Sequence, residues 1–239
     1  MSLDPLAPQS PASDQPAPAD ASQSPNVWQL RLLPGSITPG RPEHAQAAAQ
    51  LIVSTDEHLF KFCGGGTLDP WLELAQAEWR AIDGIYSHRF AKVLEIDGAV
   101  KALVLAFPSQ AGAAALDWRM TNSRQAMAAQ QWQEVFDRFS QIGPILFAPA
   151  PEHSYYIQNI AVAPELKGQG IGRALLDLVI ECARSEGFNS LTLDVDATTP
   201  AVSFYQKMGF ITTQTVELPP LGMNPHLRMA MSIAPAVVR

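Results

Sequence analysis

The order of the predicted elements indicates a mixed α/β fold in which helices cover both faces of one sheet. Several short segments alternate apolar and polar residues, which is the period of a strand. Other segments place apolar residues three and four apart, which is the period of an amphipathic helix. From residue 27 onward the order is strand, helices, hairpin, helix, strand, helix, strand, helix and strands. Elements in this order pack as layers around one core.

Length and composition indicate one domain that follows a tail. The chain has 239 residues, of which 47% are hydrophobic, and this suits a single globular domain. Residues 1–26 are rich in Pro, Ala, Ser, Gln and Asp, with almost no large apolar side chain. Such a segment cannot bury enough surface to offset its ordering entropy, so we expect a disordered tail. The domain should then span residues 27–239.

Charge and hydropathy exclude several classes of partner. The net charge is −7 and no Lys/Arg stripe is present, so we expect no binding to nucleic acid. No apolar stretch approaches the roughly 20 residues of a membrane span, and the first residues do not resemble a secretory signal. Cys63 and Cys182 imply no disulfide framework and favour a reducing compartment. We therefore expect a cytoplasmic monomer or homodimer without a metal site.

The first elements are predicted to be a strand and two helices. Residues 27–33 alternate in the manner of a strand, and residues 41–55 are helical with Ala47, Leu51 and Ile52 on one face. Asp69 followed by Pro70 marks a strong helix start, with Asp69 as the N-cap. The helically spaced apolar residues that follow are assigned to the core: Trp71, Leu74, Ala75, Trp79 and Ile82.

The rest of the chain alternates between strands and helices. An Asp-Gly pair at residues 97–98 joins two strand-like runs, which predicts a β-hairpin. Aromatic residues between Trp118 and Phe139 have helical spacing, and a Pro-punctuated loop is predicted at residues 143–154. The remaining predictions are a strand at 155–162, a helix at 172–187, a strand at 190–196, a short helix at 200–209 and two closing strands.

Three glycines, Gly168, Gly170 and Gly172, stand between the strand at 155–162 and the next helix. The first N–H groups of a helix have no partner within it, and the helix dipole adds partial positive charge there. Without side chains, the backbone can approach a phosphate closely. The turn does not match the dinucleotide-binding fingerprint Gly-x-Gly-x-x-Gly, because Gly172 comes one residue too early. It does not match the P-loop motif either, because no Gly-Lys-Ser/Thr is present. The turn therefore favours a phosphate or pyrophosphate, and a tight turn without a ligand is the alternative.

Two segments within residues 155–210 resemble the GNAT family of N-acetyltransferases. The stretch IAVAPELKGQGIGRALL, residues 160–176, resembles the family's acetyl-CoA signature, Arg/Gln-x-x-Gly-x-Gly/Ala, with Lys in the first place. The stretch TTPAVSFYQKMGF, residues 198–210, resembles the family's Asn-x-x-Ala-x-x-x-Tyr-x-x-x-Gly-Phe, with Thr198 in the Asn place. Two motifs in register identify the chain as similar to this family.

The resemblance implies a mostly antiparallel, splayed central sheet and acetyl-CoA as the cosubstrate. The pyrophosphate would lie on the backbone N–H groups of about residues 168–173. The pantetheine arm would pair like an extra strand with the strand that ends at Ile160, Ala161 and Val162, where a backbone N–H would polarise the thioester carbonyl. The residues implied to bind the cofactor are Ile160, Ala161, Val162, Lys167, Gly168, Gln169, Gly170, Ile171, Gly172, Arg173, Thr198 and Tyr205.

The resemblance further implies transfer of the acetyl group to a primary amine of a small molecule or peptide. The amine must be neutral to attack, and the leaving thiolate must receive a proton. Tyr205 matches the family position that commonly donates this proton. A phenol with an ordinary pKa of roughly 10 is protonated at neutral pH, so Tyr205 can act as the general acid.

The general base is where the sequence departs from the family. Tyr156 and Gln158 stand where relatives carry Glu or His, and strand alternation puts both on one face. Gln cannot be a base, and a tyrosine with an ordinary pKa is a poor one. The candidates are therefore water relayed by Tyr156 and Gln158, Asp194 on the neighbouring strand, or Glu152 or His153 on the preceding loop.

Two other departures from the family pattern are milder. Lys167 keeps a donor and a positive charge near the phosphate, whereas Thr198 shortens a side chain that often orders cofactor or water. The alternative is a non-catalytic acyl-CoA-binding or interaction module, since the strand lacks an acidic or imidazole residue. If the chain is an enzyme, we expect its specificity to come from the first helices and from residues 107–154.

Overall fold

A seven-stranded sheet lies at the centre of the described part of the protein. The structure is a computed structural model that describes residues 33–122, 129–146, 150–217 and 222–233. The tail expected at residues 1–26 lies outside these residues, as does the strand expected at 27–33 except for Leu33.

The strands and helices follow one another through the whole described chain. The strands are β1 (Ser36–Pro39), β2 (Ala91–Ile96), β3 (Ala99–Pro108), β4 (Ser154–Val162), β5 (Ser190–Asp196), β6 (Ile211–Val216) and β7 (His226–Ser232). The α-helices are α1 (Ala45–Val53), α2 (Glu57–Cys63), α3 (Asp69–Arg80), α4 (Ser109–Asn122), α5 (Ala129–Leu146), α6 (Ile171–Ser185) and α7 (Ala201–Lys207).

The strand order across the sheet is β1-β2-β3-β4-β5-β7-β6. β4 and β5 are parallel, and the other neighbouring pairs are antiparallel. A parallel pair needs a crossover, and α6 provides it between β4 and β5. The expected mixed α/β fold with a mostly antiparallel sheet is confirmed.

The sheet buries a separate hydrophobic cluster on each face. Helices α1 to α5 cover one face, which we call the α1 face, with Ile52, Trp79 and Phe107 in its core. Helices α6 and α7 cover the other, the α6 face, with Leu175 and Leu191 in its core. Helices therefore lie on both faces, as predicted. In the part of the chain that the structure describes, no helix is long and apolar enough to cross a membrane.

The hairpin predicted at residues 97–98 is present between β2 and β3. Asp97 has a φ of 51° and Gly98 a φ of 78°. A two-residue turn with positive φ at both positions matches the right-handed twist of the flanking strands. The Asp-Gly pair therefore sets the register in which Ile96 lies opposite Ala99.

Two details of helix α3 differ from the prediction. The N-cap is Leu68 and not Asp69, because the carbonyl of Leu68 already accepts the first helical hydrogen bond, from Leu72 N at 2.9 Å. Ile82 was assigned to the core, but it is 63% exposed. The helix ends at Arg80 and the next residue, Ala81, is extended, so Ile82 leaves the helical face. The other predicted core residues of this helix are buried: Trp71, Leu74, Ala75 and Trp79.

The region between β3 and β4 holds two helices, α4 and α5. The loop predicted at residues 143–154 is wrong at its start, because α5 continues to Leu146. The apolar face of α5 packs into the core through Val135, Phe139 and Ile142. This tertiary burial outweighs the helix-breaking tendency of the Gly-Pro pair at residues 143–144.

A buried ion pair fastens α4 to α3. Arg119 Nε donates to Glu78 Oε1 at 2.6 Å and Arg119 Nη2 donates to Glu78 Oε2 at 2.8 Å. The two side chains are 4% and 1% exposed. The guanidinium also lies over the ring of Tyr86, 4.4 Å from its centroid. The pair therefore fixes α4, the first helix between β3 and β4, against α3.

We predict that Arg119→Met lowers the free energy of unfolding by about 3–5 kcal/mol, because it leaves the Glu78 carboxylate buried and unpaired. Urea unfolding followed by tryptophan fluorescence measures this loss. The double variant Glu78→Leu/Arg119→Met should lose less than Arg119→Met alone. The exposed Lys61–Glu57 pair provides the control, since Lys61→Met should change stability little. A double variant that loses as much stability as Arg119→Met alone, or more, would contradict the coupling.

Candidate active site

The central feature of the site is a gap between β4 and β5. The two strands pair only over three residues each, Ser154 to Tyr156 with Ser190 to Thr192. Beyond these residues β4 continues beside β3, and β5 continues beside β7. Within the described residues, neither strand pairs with the other past this point. The sheet is therefore splayed, as the resemblance implied.

A β-bulge lies at the point where the gap opens. Ile157 is opposite Ala106 and Asn159 is opposite Leu105, so Gln158 is an extra residue on β4. A bulge shifts the alternation of side chains by one position. Asn159 consequently lies on the same face as Tyr156, and its Nδ2 donates to Thr55 Oγ1 at 2.9 Å. Gln158 itself is half-buried.

The bulge leaves part of the β4 backbone facing the gap. Ala163 N donates to Lys101 O at 2.8 Å, so Ala163 directs its backbone groups towards the β3 side. Backbone groups of an antiparallel strand alternate between its two sides. Ala161 therefore faces β3, whereas Ile160 and Val162 direct their N–H and C=O groups into the gap.

The glycine turn lies between the end of β4 and the start of α6. Gly168 has a φ of 82° and Gly170 a φ of 81°, a backbone region that residues with a side chain rarely adopt. A Cβ atom added to either glycine would meet nothing within 4 Å. Gly170 is the N-cap of α6, so the unpaired N–H groups at the start of α6 follow directly. The turn thus presents bare backbone donors to open space.

The third glycine has a different role. Gly172 lies inside α6, and a Cβ there would stand 3.7 Å from the ring of Phe204 on α7. The two segments that carry the family resemblance therefore lie close together at this point. Lys167 and Arg173 are exposed beside the turn and add positive charge to it. These features favour an anion at the turn.

Thr198 is held by a hydrogen-bond network at the end of β5. Its N–H and its hydroxyl both donate to Asp196 Oδ1 at 2.7 Å. Asn224 Nδ2 donates to the other oxygen, Asp196 Oδ2, at 2.8 Å. Burial alone would raise the pKa of Asp196, but these hydrogen bonds outweigh it and lower the pKa. The carboxylate therefore orders the turn in which Thr198 replaces the family's Asn.

Tyr205 lies on α7, on the α6 face of the sheet. Its side chain is buried against Phe204 and Phe210, with ring centroids 5.2 and 5.5 Å away. Burial raises the pKa of its phenol above the ordinary value, so the group is protonated at neutral pH. Tyr205 thus lies in its protonated form on the same side of the sheet as the glycine turn.

Tyr156 and Asp194, both predicted as site residues, are in direct contact across the sheet. The Tyr156 hydroxyl donates to Asp194 Oδ2 at 2.9 Å. Arg228 donates to both Asp194 oxygens, each at 2.9 Å. Burial, and then the Asp194 carboxylate, raise the pKa of Tyr156 well above its ordinary value. A free tyrosinate is therefore disfavoured here, and Tyr156 acts as a donor to Asp194.

The other candidate bases lie elsewhere. Glu152 and His153 are exposed in the turn that precedes β4, at the end where β4 and β5 are still paired. His153 has a φ of 60°, in the left-handed region. Neither residue is near the open part of the gap.

Three functional candidates were missed from the sequence: Thr55, Asp56 and His226. His226 Nε2 lies 2.8 Å from Asp56 Oδ2, and Asp56 Oδ1 accepts a hydrogen bond from Leu59 N. The aspartate immediately before a helical run signals an N-cap, so Asp56 could have been found as the cap of α2. Its contact with His226 joins residues 170 positions apart, for which the sequence carries no signal.

Comparisons with known proteins agree with this geometry. The family model described as "Acetyltransferase (GNAT) family" matches residues 58–210. Streptothricin acetyltransferase of Streptomyces lavendulae is 42% identical over 55 residues, which are 23% of this chain and 29% of that protein. The uncharacterized N-acetyltransferase ycf52 of Gracilaria tenuistipitata var. liui is 38% identical over 56 residues, or 23% of this chain and 30% of that protein. The chain thus spans about a third of the length of these relatives.

Solved structures show the same fold. An N-acetyltransferase from Staphylococcus aureus Mu50 has a TM-score of 0.63 at 19% identity, with 82% of this chain and 100% of that chain covered. A second structure, described as an acetyltransferase, has a TM-score of 0.57 at 19% identity and covers 83% and 100% of the two chains. At such low identity these likenesses concern the fold alone.

We predict that Gly170→Ala weakens the binding of acetyl-CoA by about tenfold or more, because its Cβ strains the turn and occupies the space above the N–H groups. Calorimetric titration with acetyl-CoA measures this effect. Gly187→Ala is the matched control, since Gly187 has a φ of 83° and open space around its Cβ like Gly170, but lies beyond the other end of α6. Its affinity should stay within about twofold of the parent's. Equal losses in both variants would refute a specific role for the turn.

Proposed function

The chain belongs to the GNAT family of acetyltransferases, and on that premise we propose that it transfers an acetyl group from acetyl-CoA to a primary amine of a small molecule or peptide. The observation that supports this most strongly is the gap between β4 and β5, which opens beside a turn of bare backbone donors. We further propose a cytoplasmic monomer or homodimer, in keeping with its two free cysteines.

The residues around the gap suit the parts of acetyl-CoA. The N–H groups of residues 168–173 would bind the pyrophosphate, and the space next to Gly168 and Gly170 is open for it. Lys167 and Arg173 would contribute positive charge, while Gln169 donates to Glu165 O at 3.2 Å and shapes the turn. The backbone groups of Ile160 and Val162 would pair with the amides of the pantetheine arm.

The thioester of bound acetyl-CoA supplies the carbonyl carbon that the amine attacks. A backbone N–H of Ile160 or Val162 that faces the gap would stabilise the negative charge that develops on the carbonyl oxygen. Donors fixed in advance for such a charge usually supply a large share of the rate acceleration. The bulge at Gln158 is what aims these groups, because it fixes which β4 residues face the gap.

Tyr205 is proposed as the general acid. Its phenol is buried and protonated, and it lies on the same side as the glycine turn, where it would donate to the departing thiolate. The matching step for the amine is loss of a proton, for which Tyr156 and Asp194 form a path. The Tyr156 hydroxyl would pass the proton, directly or through water held with Gln158, towards the Asp194 carboxylate.

The acceptor is proposed to be cationic before it reacts. The net charge of −7 favours the approach of ammonium groups. Because one of the relatives is named streptothricin acetyltransferase, streptothricin is a reasonable member of the first acceptor panel. The other members would be L-lysine, spermidine and a peptide with a free N-terminus, each tested for release of the CoA thiol.

We predict that Tyr205→Phe lowers kcat by about 100-fold while acetyl-CoA binds almost as well as to the parent, since only the proton donor is lost. Thiol release with the amine panel and calorimetry with acetyl-CoA give the two values. Tyr155→Phe is the matched control, because it removes a hydroxyl from another buried tyrosine on the α6 face. An unchanged kcat in Tyr205→Phe would remove Tyr205 from the mechanism. Saturable acetyl-CoA binding by the parent without turnover of any amine would favour the alternative, a non-catalytic acyl-CoA-binding module.

A further inference from the structure

Residues 54–56 connect α1 to α2, and we call them the α1–α2 corner. The corner is hydrogen-bonded to both sides of the gap. Thr55 Oγ1 accepts a hydrogen bond from Asn159 Nδ2, and Asn159 belongs to β4. Asp56 Oδ2 lies 2.8 Å from Nε2 of His226, which belongs to β7. His226 stands opposite Asp196 at the end of β5. Two adjacent residues of one corner thus tie the β4 side of the gap to the β5–β7 side.

Thr55 and Asp56 each make a second hydrogen bond, which fixes the side chain in place. The Thr55 hydroxyl donates to Ile52 O at 2.7 Å, which leaves its oxygen to accept from Asn159. Asp56 Oδ1 caps α2 by accepting from Leu59 N at 3.0 Å. The corner therefore cannot shift without loosening the ends of both helices.

The His226 ring is fully engaged in the network. Its Nδ1 lies 3.1 Å from Asn224 O, so both ring nitrogens face oxygen atoms. The side chain is buried, with the carboxylates of Asp56 and Asp196 as its charged neighbours. Burial lowers the pKa of His226, but the hydrogen bond with Asp56 outweighs it, so the net shift is upward. The upward shift favours the doubly protonated imidazole, the form that can donate to both Asp56 and Asn224.

The corner lies on the α1 face, opposite the side that carries Tyr205 and the glycine turn. An acceptor would approach the thioester from a side that the cofactor does not occupy. The α1 face carries the Tyr156–Asp194 pair, so it is the face on which the acceptor's proton would leave. The corner is therefore a wall of the region where acceptor and thioester would meet.

We propose that Asp56 and His226 are positioning residues for acetyl transfer: their pair holds the α1–α2 corner across the open part of the gap and excludes water from the thioester. This inference rests on the proposed function, because it requires acetyl-CoA in the gap. A loosened corner admits water, whose oxygen attacks the thioester carbonyl carbon. The carbon–sulfur bond breaks, the sulfur leaves with a proton as the CoA thiol, and acetate and a second proton are released.

The test measures acetyl-CoA hydrolysis without any amine, together with acetyl-CoA affinity. His226→Phe removes both hydrogen bonds of the ring while it keeps a side chain of similar volume. Because the bond to Asp56 no longer holds the corner, a contribution of about one net hydrogen bond is lost, and the rate of thiol release from acetyl-CoA should rise roughly tenfold. His226→Gln keeps an amide donor for Asp56 and should stay within about twofold of the parent. Asp56→Asn keeps the hydrogen bond that caps α2 at Leu59 N but loses the negative charge. Its rate of thiol release should lie between those of His226→Phe and His226→Gln.

His44→Phe is the matched control, because His44 is an equally buried histidine with a carboxylate neighbour, Glu95 Oε2, 3.7 Å from its Nε2. It lies beside β2, away from the gap, so hydrolysis should not change. If His226 only stabilised the fold, its replacement would reduce the amount of acetyl-CoA bound and would therefore reduce hydrolysis. Unchanged or reduced hydrolysis in both His226→Phe and Asp56→Asn, or an equal rise in His44→Phe, would overturn the inference.

The two proposals fail differently. If the parent protein does not bind acetyl-CoA, the proposed function falls and this inference falls with it. If the parent binds acetyl-CoA and hydrolysis does not respond to His226 or Asp56, only the positioning role is refuted.

Discussion

The early end of the pairing between β4 and β5 is the constraint on which the rest of the structure depends. β5 is paired with β7 along its whole length, and the bulge at Gln158 redirects β4 while it stays beside β3. An unpaired strand edge inside a sheet leaves N–H and C=O groups that need partners. The fold thus creates a slot that suits an extended ligand carrying amides of its own.

The two faces of the sheet contribute different chemistry to this slot. The α6 face supplies the glycine turn and the protonated phenol of Tyr205, which we propose to act on an anionic cofactor and its leaving thiolate. The α1 face supplies Tyr156 with Asp194 and the corner tied to His226. Between β3 and β4 the chain forms α4, which Arg119 anchors to Glu78 of α3, and α5; both helices contribute buried residues to the α1 face.

Much of the fold could be predicted from the sequence because local signals determine it. The hairpin follows from an Asp-Gly pair at positive φ, and the glycine turn follows from residues that alone tolerate its backbone. The error at the start of α3 concerned one residue, since Asp69 and Leu68 are both compatible with a helix start. The extension of α5 to Leu146 was missed because core packing outweighs a local helix breaker.

The parts of the site that escaped prediction depend on contacts between distant residues. A bulge exists only relative to the neighbouring strand, so periodicity within β4 cannot reveal that Asn159 joins the face of Tyr156. The pairing of Tyr156 with Asp194 was within reach, because both were candidates on neighbouring strands, but the neutralising role of Arg228 was not. The contact of Asp56 with His226 depends on the strand order of the whole sheet.

Amide hydrogen exchange with and without acetyl-CoA tests the central claim most directly. If the pantetheine arm pairs with the open edge of β4, exchange at Ile160 and Val162 slows on binding. Ala161 and Ala163, which direct their backbone groups towards β3, serve as internal controls and keep their rates. Protection at Ile160 and Val162, with unchanged rates at Ala161 and Ala163, is the predicted result. Binding that leaves both amides unprotected would show that the ligand does not enter the gap, and would contradict the account.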